Sequence, residues 1–453
     1  MMQKSNPIVA FKSAFSFILL VACGLPLSGQ SNTEDSILAK AKKWAESLAS
    51  PSMHGRGYQL DGHRIAAQYL AEEFSKLGLE PHPTLKDETN PFFQTFHMST
   101  NVVQGDAVLA VGTDTLQIGH DYVVNAASGR GNLKGSKVVD LGFGMPEDFK
   151  KSLEKCVVVM RPGLPPEIEK DSERKKVMQP LATDAQKIER ATRMKAAAIV
   201  MLRPKLTAGL SPIPANLPIL DVLNTKWPKK KVKKANISVE TGLKGIQSQN
   251  VVAMIPGTIH PDSIVLVCAH YDHLGRQGEA IFYGGNDNAS GTSMLLSMAD
   301  HFARPENQPR FTMLFVAFGG EEAGLVGSTY FASKAPVVPL ANIRFLLNLD
   351  LMSNGSEGIM AVAGNENPIE LQVLRGLNDT LQAVKEVKSR PNAANSDHYP
   401  FVSRGVKGIF IYTMGGPPHY HDVNDTFANM EFQRYSEIRA LLIRFLSELM
   451  QAQ

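Results

Sequence analysis

Ile264-Val265-Leu266-Val267-Cys268-Ala269-His270-Tyr271-Asp272 is the stretch from which the rest of the chain can be read. Its six leading apolar residues have the length and β-branched content of a strand buried on both faces, and a His and an Asp follow where that strand ends. Runs of the same kind stand at 311–318, 343–349 and 408–412, with helical patterns at 292–302, 323–333, 370–387 and 433–450. Strands alternating with helices predict an α/β fold: a mixed, mainly parallel central sheet covered by helices on both faces. Ligands of such sheets bind beyond the carboxyl ends of the strands, where loops and helix N-termini converge.

The polar residues obey that geometry. His270 and Asp272 follow the first run, Glu321 and Glu322 the second, Asp350 ends the third, and His419 and His421 follow the fourth. Asp287 lies in the glycine-flanked loop 284–291, just before a helical pattern. Each has an ordinary explanation alone: Asp287 as a helix cap, Glu321-Glu322 as a solvated helix start, Asp350 as a strand end. Together they would crowd ionised carboxylates beside histidines at one sheet edge, which is costly unless cations compensate.

Upstream, 31–50 and 64–77 carry helical stripes, with Ser31 and Glu34 spaced as a capping box. From 101 to 245 the texture changes to short β-like runs, such as 107–111, 156–160 and 196–202, around a helical pattern at 185–194. The domain reading is therefore 30–100 and 246–453 as two parts of one α/β unit and 101–245 as an insert. Residues 1–29 read as an export signal: Lys4 and Lys12 precede an apolar stretch at 14–23, shorter than the roughly 20 residues that span a bilayer. Two exits compete there, lipidation at Cys23 after Leu20-Val21-Ala22 and cleavage before Gln30. Either places the protein outside the cytoplasm: periplasmic, secreted, or lipid-anchored to an outer membrane.

A chain of 453 residues exceeds one core, consistent with two folded units. With 43% hydrophobic and 20% charged residues it is neither disordered nor fibrous, and a net charge of +3 gives no reason to expect a nucleic-acid partner. Three cysteines exclude a disulfide scaffold and an all-thiolate zinc site, so any metal must rest on His and carboxylates.

The segments 269–275, 285–291, 318–328, 348–350 and 420–426 resemble the dinuclear zinc aminopeptidases, whose peptidase fold is shared with glutamate carboxypeptidase and the transferrin receptor ectodomain. The resemblance implies two zinc ions per chain, with cobalt or manganese as substitutes. His270 and Asp350 would hold one, Glu322 and His421 the other, and Asp287 would bridge them. Asp272 would orient His270, and Glu321 would be the general base for attack of a dizinc-bound water on a peptide bearing a free N-terminus. Asp397 and His398 resemble residues near the family's site, and Tyr412 would help polarise the substrate carbonyl. Leu351 stands where the family often has Met, and its effect depends on whether backbone or side chain faces the pocket; Phe282, Tyr283, Met352 and Met414 would suit its apolar wall. The insert resembles a protease-associated domain.

Rival readings are a carboxypeptidase or dipeptidase of the same fold, for which Arg390 or Arg404 would clamp a carboxylate, a single-zinc glutaminyl cyclase, and a metal-free binding ectodomain. No Gly-x-Ser-x-Gly elbow supports serine catalysis, and Cys268 lies inside a buried strand. Membrane association rests only on the lipid at Cys23, and the oligomeric state is open.

Overall fold

A computed structural model of the protein describes residues 27–451; the basic-then-apolar leader and Cys23 lie outside the described residues. The α/β unit is built from α1 (Leu27–Leu48), α2 (Gly62–Lys76), β1 (Phe93–Val103), β2 (Thr241–Ile255), β3 (His260–His270), α3 (Gly291–Phe302), β4 (Phe311–Phe318), β5 (Ile343–Asp350), β6 (Gly358–Val362), α4 (Pro368–Leu381), β7 (Val387–Arg390), β8 (Gly408–Met414) and α5 (Tyr435–Gln451). With a short edge strand at Glu80–Pro81, the strands form one nine-stranded sheet ordered edge-β2-β4-β3-β5-β8-β6-β7, and β1 also pairs with β2. The centre, β4-β3-β5-β8, is parallel, while β2 and β6 join it antiparallel. The mixed, mainly parallel reading thus describes its middle.

Alternation along β3 builds both layers. Val265, Val267 and Ala269 pack into a core that includes residues of α1, α2, α3, α4 and α5, while Ile264, Leu266 and Cys268 meet Phe331, Val337 and Phe401 on the other face. Each fully buried aliphatic side chain contributes about 1.5–3 kcal/mol. The parallel strands are mainly apolar on both faces, and a buried polar residue such as Asn348 is tolerated because its amide donates to Ser396.

Three local expectations are corrected. The helix at 323–333 shrinks to Val326–Thr329 and a wide turn at Tyr330–Lys334, because Gly324 (φ 102) and Leu325 (φ 59) are left-handed and break the helical path. The helix at 370–387 stops at Leu381; Gln382 is left-handed, and the Asn378 side chain bonds both the carbonyl and the N–H of Val384, turning the chain into β7. Ser31 and Glu34 fall inside α1, which begins at Leu27, rather than at its start.

β1 and β2 form a long antiparallel ribbon, from Phe93 opposite Val251 to Val103 opposite Thr241. The intervening chain folds into a separate eight-stranded sheet, which includes the expected runs as Val108–Val111, Val157–Met160 and Ala198–Arg203, with a helix at Asp184–Arg193. It is a β-rich inserted domain with its own apolar clusters on the two sides of the sheet. It touches the α/β unit through Gln277, whose amide exchanges two hydrogen bonds with the Val124 backbone, and through a cluster of Val123, Leu206, Leu274 and Phe282. No described helix is long and apolar enough to cross a membrane.

Candidate metal centre

Parallel register brings the strand ends level. His270 ends β3 opposite Phe318 of β4, and Asp350 ends β5 opposite Tyr412 of β8. Gly319 and Gly320 turn the chain off β4 into Glu321 and Glu322, Asp287 enters from the loop before α3, and His421 from the loop after β8. Gly284 makes the Asp287 loop feasible: at φ 59, a Cβ there would lie 2.1 Å from the Asp287 carbonyl oxygen and 2.6 Å from the Arg56 guanidinium.

The five residues proposed as ligands face one another. His270 Nε2 lies 3.3 Å from Asp287 Oδ1 and 3.5 Å from Asp350 Oδ1. His421 Nε2 lies 3.1 Å from Asp287 Oδ2 and 3.3 Å from Glu322 Oε2. Asp287 therefore offers one oxygen to each histidine, and the arrangement divides into two groups that share it.

The donor set fits divalent cations. Imidazole and carboxylate suit zinc, cobalt or manganese, and the groups are sunk beneath the surface, His270 1% and Asp287 3% exposed. Asp350 Oδ1 and His273 Nε2 are buried without a hydrogen bond. Burial and the neighbouring Glu322 and Asp397 carboxylates push Glu321 well above the usual carboxylate range, and burial holds Asp397 at about 7. Burial also opposes a charge on His270, yet the Asp350 and Glu321 carboxylates outweigh it and raise its pKa well above normal. A protonated imidazole is the compensation this chain can supply by itself; a bound cation would take that place.

Asp272 takes up a different task from the one the resemblance implied. Asp272 is fully buried, but His270 Nδ1 faces its backbone oxygen at 3.2 Å while the carboxylate stands 4.0 Å away. That carboxylate instead accepts from Tyr58 Oη and from the N–H groups of Glu321 and Glu322, at 2.9, 3.1 and 3.3 Å. Asp272 thus fixes the turn that presents both glutamates. Ser396 donates to Asp350 Oδ2 at 3.3 Å and accepts from Asn348. Asp397 and His398 are fully buried beside it, and burial lowers His398 to about 3, so its ring is neutral.

Several residues at the centre escaped sequence reading. Arg56, fully buried, donates to the carbonyls of Tyr271, Leu48, Tyr283 and Gly284 at 2.6–2.8 Å, which ties the end of β3 to the Asp287 loop. Asp425 accepts from the N–H groups of Asn286 and Asp287 at 2.7 and 2.9 Å. His273 Nδ1 lies 2.7 Å from Glu322 Oε1, so this imidazole, Asp287 and Glu322 form a further cluster able to hold an ion. His54-Gly55-Arg56-Gly57, a basic residue between glycines, was the one available signal for Arg56.

A cleft of about 230 Å³ opens beside the centre, walled by Leu351, Tyr412, Tyr420, Gly415 and Gly416. Leu351 is one of the residues lining it, and its carbonyl accepts from Thr413. Met352 and Phe282 do not line it; both are fully buried in packed clusters. Arg390 lies with its guanidinium 5.7 Å from the Tyr412 ring, whereas Arg404 lines a cavity where the parallel strands begin.

Residues 250–446 match the family described as Peptidase family M28. The chain is 30% identical over 203 residues to "Aminopeptidase YwaD" of Bacillus subtilis, covering 42% of this chain and 42% of that protein. It is 29% identical over 168 residues to "Leupeptin-inactivating enzyme 1" of Streptomyces exfoliatus, covering 37% of this chain and 36% of that protein. The chain thus spans about two fifths of the length of these two curated relatives. Among solved structures, BSAP, a zinc aminopeptidase from Bacillus subtilis, superposes with a TM-score of 0.69 at 18% identity, over 90% of this chain and 94% of that one, a likeness of fold.

Proposed function

Because residues 250–446 match the model of peptidase family M28, we propose that the protein is a zinc-dependent aminopeptidase that removes N-terminal residues from peptides. One observation carries the reading: the Asp287 carboxylate faces His270 with one oxygen and His421 with the other, as a bridge between two cations requires. His270 and Asp350 would hold one zinc ion, Glu322 and His421 the second. Two such ions supply a lowered pKa for water and a positive field for the charge that develops on the scissile carbonyl.

The chain's own residues do the rest. Glu321, kept protonatable by burial and by its neighbouring carboxylates, accepts the proton of the attacking water and returns it to the leaving amine. Asp272 holds the Glu321 N–H, so the base keeps its position as its proton comes and goes. Tyr412 and Leu351, in the cleft wall, receive the substrate side chain next to the cleaved bond. The names of the similar Bacillus proteins, an aminopeptidase in each case, support an amino-terminal specificity. Export directed by residues 1–29, with a lipid on Cys23 or cleavage before Gln30, belongs to the same proposal, and fractionation of labelled cells distinguishes the two exits.

Arg390 beside Tyr412 favours a second reading, a carboxypeptidase that meets the substrate's terminal carboxylate. Hydrolysis of a peptide series with free, N-acetylated or C-amidated ends separates the two. An aminopeptidase cleaves the free and amidated peptides, spares the acetylated ones, stops on chelation and holds two zinc ions per chain. Cleavage of acetylated peptides overturns the amino-terminal reading, and a single zinc ion overturns the dinuclear one.

A further inference from the structure

The inserted domain reaches the metal centre through the loop that follows its strand Ala198–Arg203. Lys205 Nζ donates to the carbonyls of Pro418 and Tyr420 at 3.0 and 3.1 Å and lies 3.4 Å from Asp422 Oδ2. Three residues further on, the Ala208 N–H donates to the carbonyl of His421 itself at 3.0 Å. Next along the loop, Val423 packs against the cluster of Val123 and Leu206 from the insert with Leu274 and Phe282 from the α/β unit. The residues before, at and after His421 are thus each bound to the insert.

His421 needs such support more than the other four residues. His270 and Asp350 end paired strands, Glu322 follows β4 with its N–H on Asp272, and Asp287 has its N–H on Asp425. His421 lies in a loop and adopts a left-handed backbone, φ 59, a conformation that persists in a residue with a Cβ only where the surroundings fix it. An ion pair between Lys205 and Asp422 would do little, because the lysine side chain is 46% exposed. Two carbonyls gathered on one ammonium, with a third held by Ala208, fix a backbone path.

We propose that Lys205 is a positioning residue and that the insert, through Lys205 and Ala208, sets the loop from which His421 presents Nε2 to Asp287 and Glu322. Retention of the ion at Glu322 and His421 then depends on the inserted domain. This rests on the reading of His421 as a ligand.

Zinc release from the fully loaded chain, followed with a chromophoric chelator, tests it. Lys205→Met and, independently, Ala208→Pro should bind two zinc ions at saturation but release one of them roughly 10–100-fold faster, the usual consequence of losing support behind a ligand. The other ion should leave at the wild-type rate, Lys205→Arg should restore part of the loss, and Lys226→Met, a lysine of the same insert paired with Asp121, should change nothing. Wild-type release of both ions from both loop variants overturns the proposal. His421→Ala is the reference: if it holds two ions as firmly as the wild type, the assignment of His421 has failed and the proposal falls with it.

Discussion

In the inserted sheet, Asp221 is buried, and the chain supplies its partners: Arg203 Nε at 2.6 Å and the Asn125 amide at 2.6 Å. Arg203 also reaches Asp184, at the start of the insert's helix, at 2.6 Å, so the buried Asp221 carboxylate is paired with a guanidinium. At the carboxyl edge of the central sheet, Asp272, Asp287, Glu322 and Asp350 crowd into one space with Glu321 and Asp397. The guanidinium beneath them, Arg56, is occupied by backbone carbonyls. Both sheets bury charge, but the first sets a guanidinium against its buried carboxylate, whereas the second has mainly imidazoles to set against several. An unbalanced cluster on a rigid edge stores a demand for cations from outside, whereas a balanced one needs nothing further.

Glu321→Gln should give the largest effect, a fall in turnover of about 10²–10⁴-fold with both zinc ions retained, read from peptide hydrolysis beside metal analysis. Near-normal turnover in the loaded variant would remove Glu321 from the chemistry. Zinc should act as a stabiliser of the central edge: at a thousandfold excess over its dissociation constant it should add about 4 kcal/mol to unfolding, measured by calorimetry on chelated and reloaded protein. No gain on reloading would mean the edge is balanced after all. Arg203→Met should cost about 3 kcal/mol by leaving Asp221 buried and unpaired, while turnover per folded molecule stays at the wild-type value. At the low end, Lys230→Ala, in the exposed stretch Lys229-Lys230-Lys231 of the insert, should stay within about 0.5 kcal/mol of wild type in a urea titration. A larger loss there would show that the insert is less self-sufficient than its buried pairs imply.

What the sequence disclosed follows from how each part is encoded. His270, Glu321, Glu322 and Asp350 are legible because a mainly apolar run of strand length reads as a buried strand, and these residues stand at or just past the ends of such runs. Arg56 is not, since Pro51–Arg56 has no periodicity and passes through left-handed positions at His54, Gly55 and Arg56. The β1–β2 ribbon was hidden because its two strands lie far apart in the chain and each also carries polar, exposed positions. Asp272 was half legible: its closeness to His270 follows from spacing, but its hold on the Glu321–Glu322 turn depends on β3 and β4 being neighbours, which only the fold provides.

The ribbon has an evolutionary corollary. Val103 and Thr241 face each other in register at its far end, close enough for a two-residue turn to join them. Cutting there and closing the gap would leave a plain hairpin projecting from the α/β unit, so the stem acts as a splice point at which whole modules can be gained, lost or exchanged without rethreading the fold that bears them.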